Sequence, residues 1–250
     1  MITRQQHSLL HKHACNAITS KVKSLSWFQQ LKDVCLLYQL PHPLTFLTSP
    51  LTKEKYKKFA KNFWEIKVRQ EASSLSSLKY FKSQFMSLVR PHHLLTMAGS
   101  SPYEVTKAGI QATLLSGRYR TEMLCRHWSS NPEGFCLTPS CNGRHILEDI
   151  EHMLASCSSL TPARDRLAQF TRSYVQKVPI LAQLVLELSQ PTHQLFVQFL
   201  LDCSAIPAVI NLTQIHGNHL LSYLFKITRT WCYSLHKERL RILGRWSHDH

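Results

Sequence analysis

Acidic residues are the first shortage in this chain. Its 250 residues include 15 Asp and Glu against 30 Lys and Arg, a formal net charge of +15. Like charges repel in a compact state, so such an excess calls for a polyanionic partner. Nucleic acid, RNA or DNA, comes first and an anionic membrane second. Glycine is also scarce, 7 residues in all, which disfavours a turn-rich β-sandwich or barrel. Long apolar runs are missing as well. Between Ile180 and Ile210 the chain is apolar, but Gln183, Glu187, Gln190, Pro191, His193, Gln198 and Asp202 interrupt it. No stretch reaches the roughly 18 consecutive apolar residues of a membrane span. Residues 1–20 are polar and His-rich, without the apolar core of a signal peptide. No membrane partner is therefore expected, and the nucleus or cytoplasm is the expected location.

What is present suits a folded helical protein. The apolar fraction of 44% is that of an ordinary globular chain, and the length suggests one or two domains. Trp27, Leu31, Val34 and Tyr38 recur at helical spacing, and Pro41-His42-Pro43 and Ser49-Pro50 interrupt the pattern. From Lys53 to Arg69 basic residues alternate with Tyr56, Phe59, Phe63 and Trp64, and Thr52 can cap this helix. Ser101 before Pro102, with Glu104 in the first turn, marks a further helix start. Near the carboxyl end Leu220, Leu224, Ile227, Trp231 and Leu235 form one apolar stripe. The expected fold class is mainly α, with helical bundle segments around a small zinc-stabilised module. Residues 1–74 read as a basic helical linker region, 75–160 as a helical segment plus the zinc module, and 161–250 as a helical region.

The eight cysteines are expected as thiols or metal ligands rather than disulfides. Cys136-x4-Cys141-x10-His152-x4-Cys157 carries the strongest local signal. Zinc takes thiolate sulfur and imidazole nitrogen in a tetrahedron, and a Cys pair followed by a His/Cys pair supplies them. Pro139 and Asn142-Gly143 suit the tight turn between the first two sulfurs. Residues 148–154 read as a short helix with His152 facing the metal. Positions five apart on an ideal helix point about 140° apart, so Cys157 is expected beyond the helix end, curling back. Cys141-x3-His145 is also a plausible spacing, which leaves His145 open as an alternative to His152. Four protein ligands leave no position for water, so the zinc is expected to be structural. Cys35, Cys203 and Cys232, with Cys15, are expected in core packing, and His7, His11 and His13 in a flexible tail.

Residues 114–120, Leu-Leu-Ser-Gly-Arg-Tyr-Arg, stand ahead of the Cys pair and of His152-Met153-Leu154-Ala155-Ser156-Cys157. Together they resemble the region downstream of the polymerase in non-LTR (LINE-type) retrotransposon proteins, which often ends in a zinc-binding segment of this pattern. Residues 26–44 and 77–81 also look like the helical linker before that segment, so the resemblance spans Ser24 to Arg166. Full-length relatives carry a reverse transcriptase whose adjacent Asp pair holds two metal ions. Here the aspartates are Asp33, Asp149, Asp165, Asp202 and Asp249, no two adjacent, and no Gly-rich phosphate loop is present. The resemblance therefore implies the carboxyl-terminal portion of such a protein without its polymerase core.

The expected function is a non-catalytic, zinc-stabilised nucleic-acid-binding module. Lys53, Lys57, Lys58 and Lys61 would contact phosphates, joined by Arg118, Arg120, Arg126 and Arg144 near the zinc site. Tyr119 and Trp128 could stack on unpaired bases. One alternative is a zinc-braced protein-interaction module whose Leu220–Leu235 stripe pairs with a partner helix. Another is a transposon remnant without selected function. An enzyme is not expected, because Cys125 and His127 lack an orienting carboxylate or oxyanion feature.

Overall fold

The computed structural model describes residues 27–43, 52–81, 91–175 and 193–245, together with Lys12, Asn16 and Thr45. The expectations for His7, His11, His13, Cys15, Pro179 and Pro191 lie outside these residues. The described chain is helical. Its one β-type pairing among the described residues is an antiparallel bridge between Phe135 and Leu147. The chain divides into two compact units, 1–71 and 72–250.

In the first unit α1 (Trp27–Leu37) is followed by α2 (Lys53–Ser74), and the division falls in the last turn of α2. The Lys55 amide donates to the Thr52 hydroxyl, as expected of a cap. Tyr38 packs its ring against Phe63 and Trp64. The expected apolar face of α1 is not the covered one. Trp27 and Val34 are exposed, while Cys35 is buried. Tyr56, Phe59 and Trp64 are exposed on α2, as are Lys53, Lys57, Lys58 and Lys61.

The second unit is built around α9 (Asn218–Ile242), which packs on α4 (Pro102–Leu115), α6 (Thr161–Val175), α7 (His193–Leu201) and α8 (Pro207–His216). Short helices α3 (His93–Thr96) and α5 (Glu122–Cys125) complete the set. Leu220, Leu224, Ile227, Trp231 and Leu235 are all buried, so the stripe read from the sequence is spent on the chain's own core. Cys203 and Cys232 lie in that core too. Pro102 and Pro207 stand in the first turns of α4 and α8, where the missing N–H would be unpartnered in any case. Ser101 caps α4 by position only, since its side chain accepts no bond.

Polar groups tie the helices at fixed places. Gln111 Nε2 donates to the Leu200 carbonyl and to Thr228 Oγ1. Arg229 donates to the Met97 carbonyl, and the Trp231 indole to Thr171 Oγ1. The most heavily used group is Glu148. Its carboxylate accepts two bonds from Arg239, at 2.8 and 2.7 Å, and one from the Glu122 amide at 2.8 Å. Both charged side chains are almost fully buried. A bidentate pair that also takes a helix N-terminal amide recovers part of the cost of desolvating two charges. Arg245 pairs with Glu122 at the edge of the same cluster.

Beside it the Tyr119 hydroxyl and His236 Nδ1 share a hydrogen bond of 2.8 Å. Burial, and secondly the charge of Arg239, lowers the His236 pKa to about 4, so the ring is neutral near pH 7.

Two outcomes are expected. Glu148→Gln leaves a buried guanidinium short of charge and should cost about 3 kcal/mol, read as a lower urea midpoint at unchanged slope. The His236 pKa is depressed on folding, so the unfolded chain binds more protons between about pH 6.5 and 4. His236 should therefore contribute a stability loss as pH falls through that window, and none above it. His236→Gln should flatten that part of the wild-type pH profile in equilibrium unfolding.

Candidate metal centre

Three short pieces of backbone assemble the site. The first is a loop closed by the Phe135–Leu147 bridge, in which the Cys136 amide donates to the Ile146 carbonyl and the Glu148 amide to the Gly134 carbonyl. Gly134 has φ +72°, and a Cβ there would stand 2.7 Å from Met123 Cα, so only glycine fits. The second is the turn in which the Cys141 and Asn142 amides both donate to the Thr138 carbonyl. It folds Cys141 back towards Cys136. Gly143 and His145 carry the chain out of this turn with positive φ.

The third piece bears out one expectation and corrects another. Cys157 lies past the helix end, as expected, but the turn ahead of it is not α-helical. His152–Ser156 is a π turn with Cys157 as its C-cap, and the Cys157 amide donates to the His152 carbonyl at 2.6 Å. In such an i→i+5 turn, residues five apart lie nearly one above the other. The backbone thus removes the 140° disagreement of an α-helix and turns His152 and Cys157 to the same side. Asp149 steadies the start of the turn by accepting from the His152 amide at 2.7 Å.

Cys136, Cys141, His152 and Cys157 are all buried, and their ligand atoms lie within 4.8 Å of one another. Cys141 Sγ stands 3.5 Å from His152 Nε2 and 3.9 Å from Cys157 Sγ. A tetrahedron with metal–sulfur bonds of about 2.3 Å has sulfur–sulfur edges of about 3.8 Å. The donor set therefore fits one metal ion. The other ring nitrogen, Nδ1, is 3.3 Å from Ser156 Oγ, so with Nε2 on the metal it can donate there and hold the ring in place. His145 is exposed and packs on the Phe135 ring, outside the cluster.

The electrostatics bear on the same site. A hydrogen bond with Cys136 pulls the Cys157 thiol far below its ordinary value, and that contact, with burial, pushes Cys136 up. Burial disfavours a charged His152, but hydrogen bonds to Cys157 and Cys141 outweigh it and raise its pKa. Metal binding would displace these shared protons. Three supporting residues carried no spacing signal. Thr138, fully buried, has its hydroxyl 3.1 Å from Cys136 Sγ and 3.4 Å from Cys157 Sγ. Arg164 donates to the Cys157 carbonyl at 2.7 Å, and its charge acts on Cys157 and Cys141. Glu148 anchors the loop from below.

Arg118, Arg120, Arg126 and Arg144 are all exposed. No carboxylate lies within ion-pair distance of them among the described residues. The same holds for Lys53, Lys57 and Lys58, whereas Lys61 stands 3.9 Å from Glu65. Trp128 is 80% exposed and Tyr119 only 5%. A second polar group, His92–Asp202–Ser204, has a triad's residue types without its order. Ser204 Oγ donates to Asp202, His92 Nε2 meets the same carboxylate at 3.2 Å, and His92 Nδ1 accepts from the Leu94 amide. No ring nitrogen remains to take a proton from Ser204.

Three thiolates and a neutral imidazole around a divalent ion leave one net negative charge, which Arg164 faces. Arg164→Gln should weaken metal affinity about tenfold and Arg164→Lys less, read by competition with a chelator.

No protein-family model, curated protein or solved structure matches the chain, so the likeness to the retrotransposon segment rests on its motif residues alone.

Proposed function

We propose that this chain is a non-catalytic nucleic-acid-binding module whose buried Cys136–Cys141–His152–Cys157 group holds a structural zinc ion. The donor chemistry supports zinc, since three thiolates and one imidazole at tetrahedral spacing match a closed structural site. Zinc there would cross-link the loop 134–148 to the π turn and its C-cap Cys157. It would take no part in bond making or breaking, because no open coordination position remains.

The nucleic-acid reading rests on the unpaired arginines. In the order of the chain, α4 ends at Leu115 and Gly117 follows in the left-handed region, φ +67°. The Gly117 amide donates to the Leu114 carbonyl and the Arg118 amide to the Thr113 carbonyl, the two bonds of a Schellman cap. The chain then bends at Tyr119, which is buried while Arg118 and Arg120 are exposed. Two guanidinium groups without protein partners among the described residues, on a chain of net charge +15, suit phosphate contacts. The resemblance to the post-polymerase segment of LINE-type retrotransposon proteins points the same way.

The protein-interaction alternative loses its main support, because the Leu220–Leu235 stripe is covered by the chain's own helices.

The purified protein should contain about one zinc per chain, and Cys136→Ser with Cys157→Ser should lose both the metal and protease resistance. Zinc retained by that variant would reject the ligand set. Affinity for nucleic acid should fall steeply with salt. Replacing Arg118 and Arg120 by Ala should reduce the logarithmic salt slope by about 0.7 per arginine for a single strand. An unchanged slope would remove these residues from the interface.

A further inference from the structure

Beside the metal centre lies an open cavity of about 410 Å³. Its walls come from segments far apart in the sequence. Ser77 and Tyr80 belong to the turn after α2, Tyr119 to the bend after α4, Met123 and Arg126 to α5 and its end, and Ile150 to the approach to His152. The junction between the first two segments is tight. A Cβ at Gly117 would stand 2.3 Å from the Ser77 carbonyl oxygen, so the glycine that caps α4 also lets the Ser77 backbone close against it. Part of the wall is apolar and aromatic, and its volume is within the range of small-ligand sites.

The charged side chains that line the cavity are two of each sign, Lys79 and Arg126 with Asp149 and Glu151. Lys79 and Glu151 both line it and pair with each other. Asp149 spends an oxygen on the His152 amide. Arg126 is left with its Nε on His127, and its terminal nitrogens have no acceptor among the described residues. Arg118 and Arg120 flank Tyr119 in the sequence and are exposed on either side of it. The Tyr80 hydroxyl is buried beside Glu151. The arrangement is an aromatic, partly apolar recess with Arg126 in its wall and the exposed Arg118 and Arg120 next to lining residues in the sequence.

We propose that this cavity receives one unstacked base of a single-stranded nucleic acid, with the adjoining phosphates on Arg126 and its neighbours Arg118 and Arg120. The inference rests on the nucleic-acid reading and adds a strand preference to it. Phosphate contacts alone accept single strands and duplexes alike. A recess that holds a base admits only a strand whose bases are free to leave the stack. A base seated against Tyr80 and Tyr119 would gain apolar contact and ring contact together, which tolerates any of the bases.

The test uses the zinc-loaded 250-residue chain with a short oligouridylate and with a duplex RNA of equal length. Met123→Trp fills the cavity mouth from an exposed position. It should weaken oligouridylate binding about tenfold or more and leave duplex binding unchanged, at unaltered metal content. Arg126→Ala should lower the salt slope for the single strand by about 0.7. Photo-crosslinking of a 5-bromouridine-labelled strand to the wild-type protein should mark peptides that contain residues 76–80 or 117–127. Oligouridylate binding that survives Met123→Trp, with cross-links elsewhere, would overturn the base pocket and leave the nucleic-acid reading intact. No binding of either RNA by the wild-type protein would overturn both. Displacement of a bound acidic peptide, with no RNA cross-link, would assign the cavity to a protein partner and also overturn the proposal.

Discussion

The pair Glu148–Arg239 is the joint on which the second unit depends. Glu148 stands between three pieces of structure. Its amide closes the metal-binding loop on Gly134, its carbonyl accepts from Met123, and its carboxylate takes both Arg239 and the first amide of α5. Removing the pair would therefore loosen the loop, the short helix that walls the cavity, and the final turns of α9 together. The cost of burying two charges is considerable, and a pair of apolar residues would often be as stable. What an apolar pair lacks is direction. A carboxylate with three fixed donors allows one placement of the loop on the helix, and the metal ligands inherit that precision.

The metal centre explains how so small a loop can hold its shape. Leu137, Ile146 and Leu147 are exposed, so the loop's own side chains contribute little to a core. Its inward groups Cys136 and Cys141, with Cys157 from the end of the π turn, join the main core cluster beside Met153, Leu154 and Leu160. A divalent ion at that point would replace the missing apolar contacts with bonds, in the way that small metal modules stay folded. Arg164 and Thr138 complete the arrangement, one offsetting the charge of the thiolates and the other bridging two sulfurs.

Much of the helical architecture was legible because periodicity and prolines report it directly. The Leu220–Leu235 stripe, the helix start at Pro102 and the four-ligand spacing needed no tertiary information. Other features were hidden for identifiable reasons. A π turn has no propensity signature, so the spacing His152-x4-Cys157 places Cys157 past the helix end, where it lies, but does not disclose the wider winding that precedes it. In α1 the exposed Trp27 and Val34 show that a periodic face is only a candidate for burial, since a partner has to cover it. Glu148 read as one acidic residue in a helix start, and nothing nearby in sequence pointed to Arg239. Contacts between residues so far apart leave no mark on composition or spacing.

The same reasoning separates what Gly117 does from what the arginines beside it do. Gly117 is required by the backbone twice over, by its left-handed φ and by the close approach of Ser77. That is a structural demand, and it would exist with any residues at 118 and 120. Once the Schellman cap has turned the chain, however, the side chains alternate, and the two outward positions could be filled by any solvated residue. Both are arginine, neither has a carboxylate partner among the described residues, and both adjoin the tyrosine that lines the cavity. Stability accounts for the glycine and the buried tyrosine but not for the arginines, which is why the functional reading rests on them and not on the buried Cys136–Cys141–His152–Cys157 group.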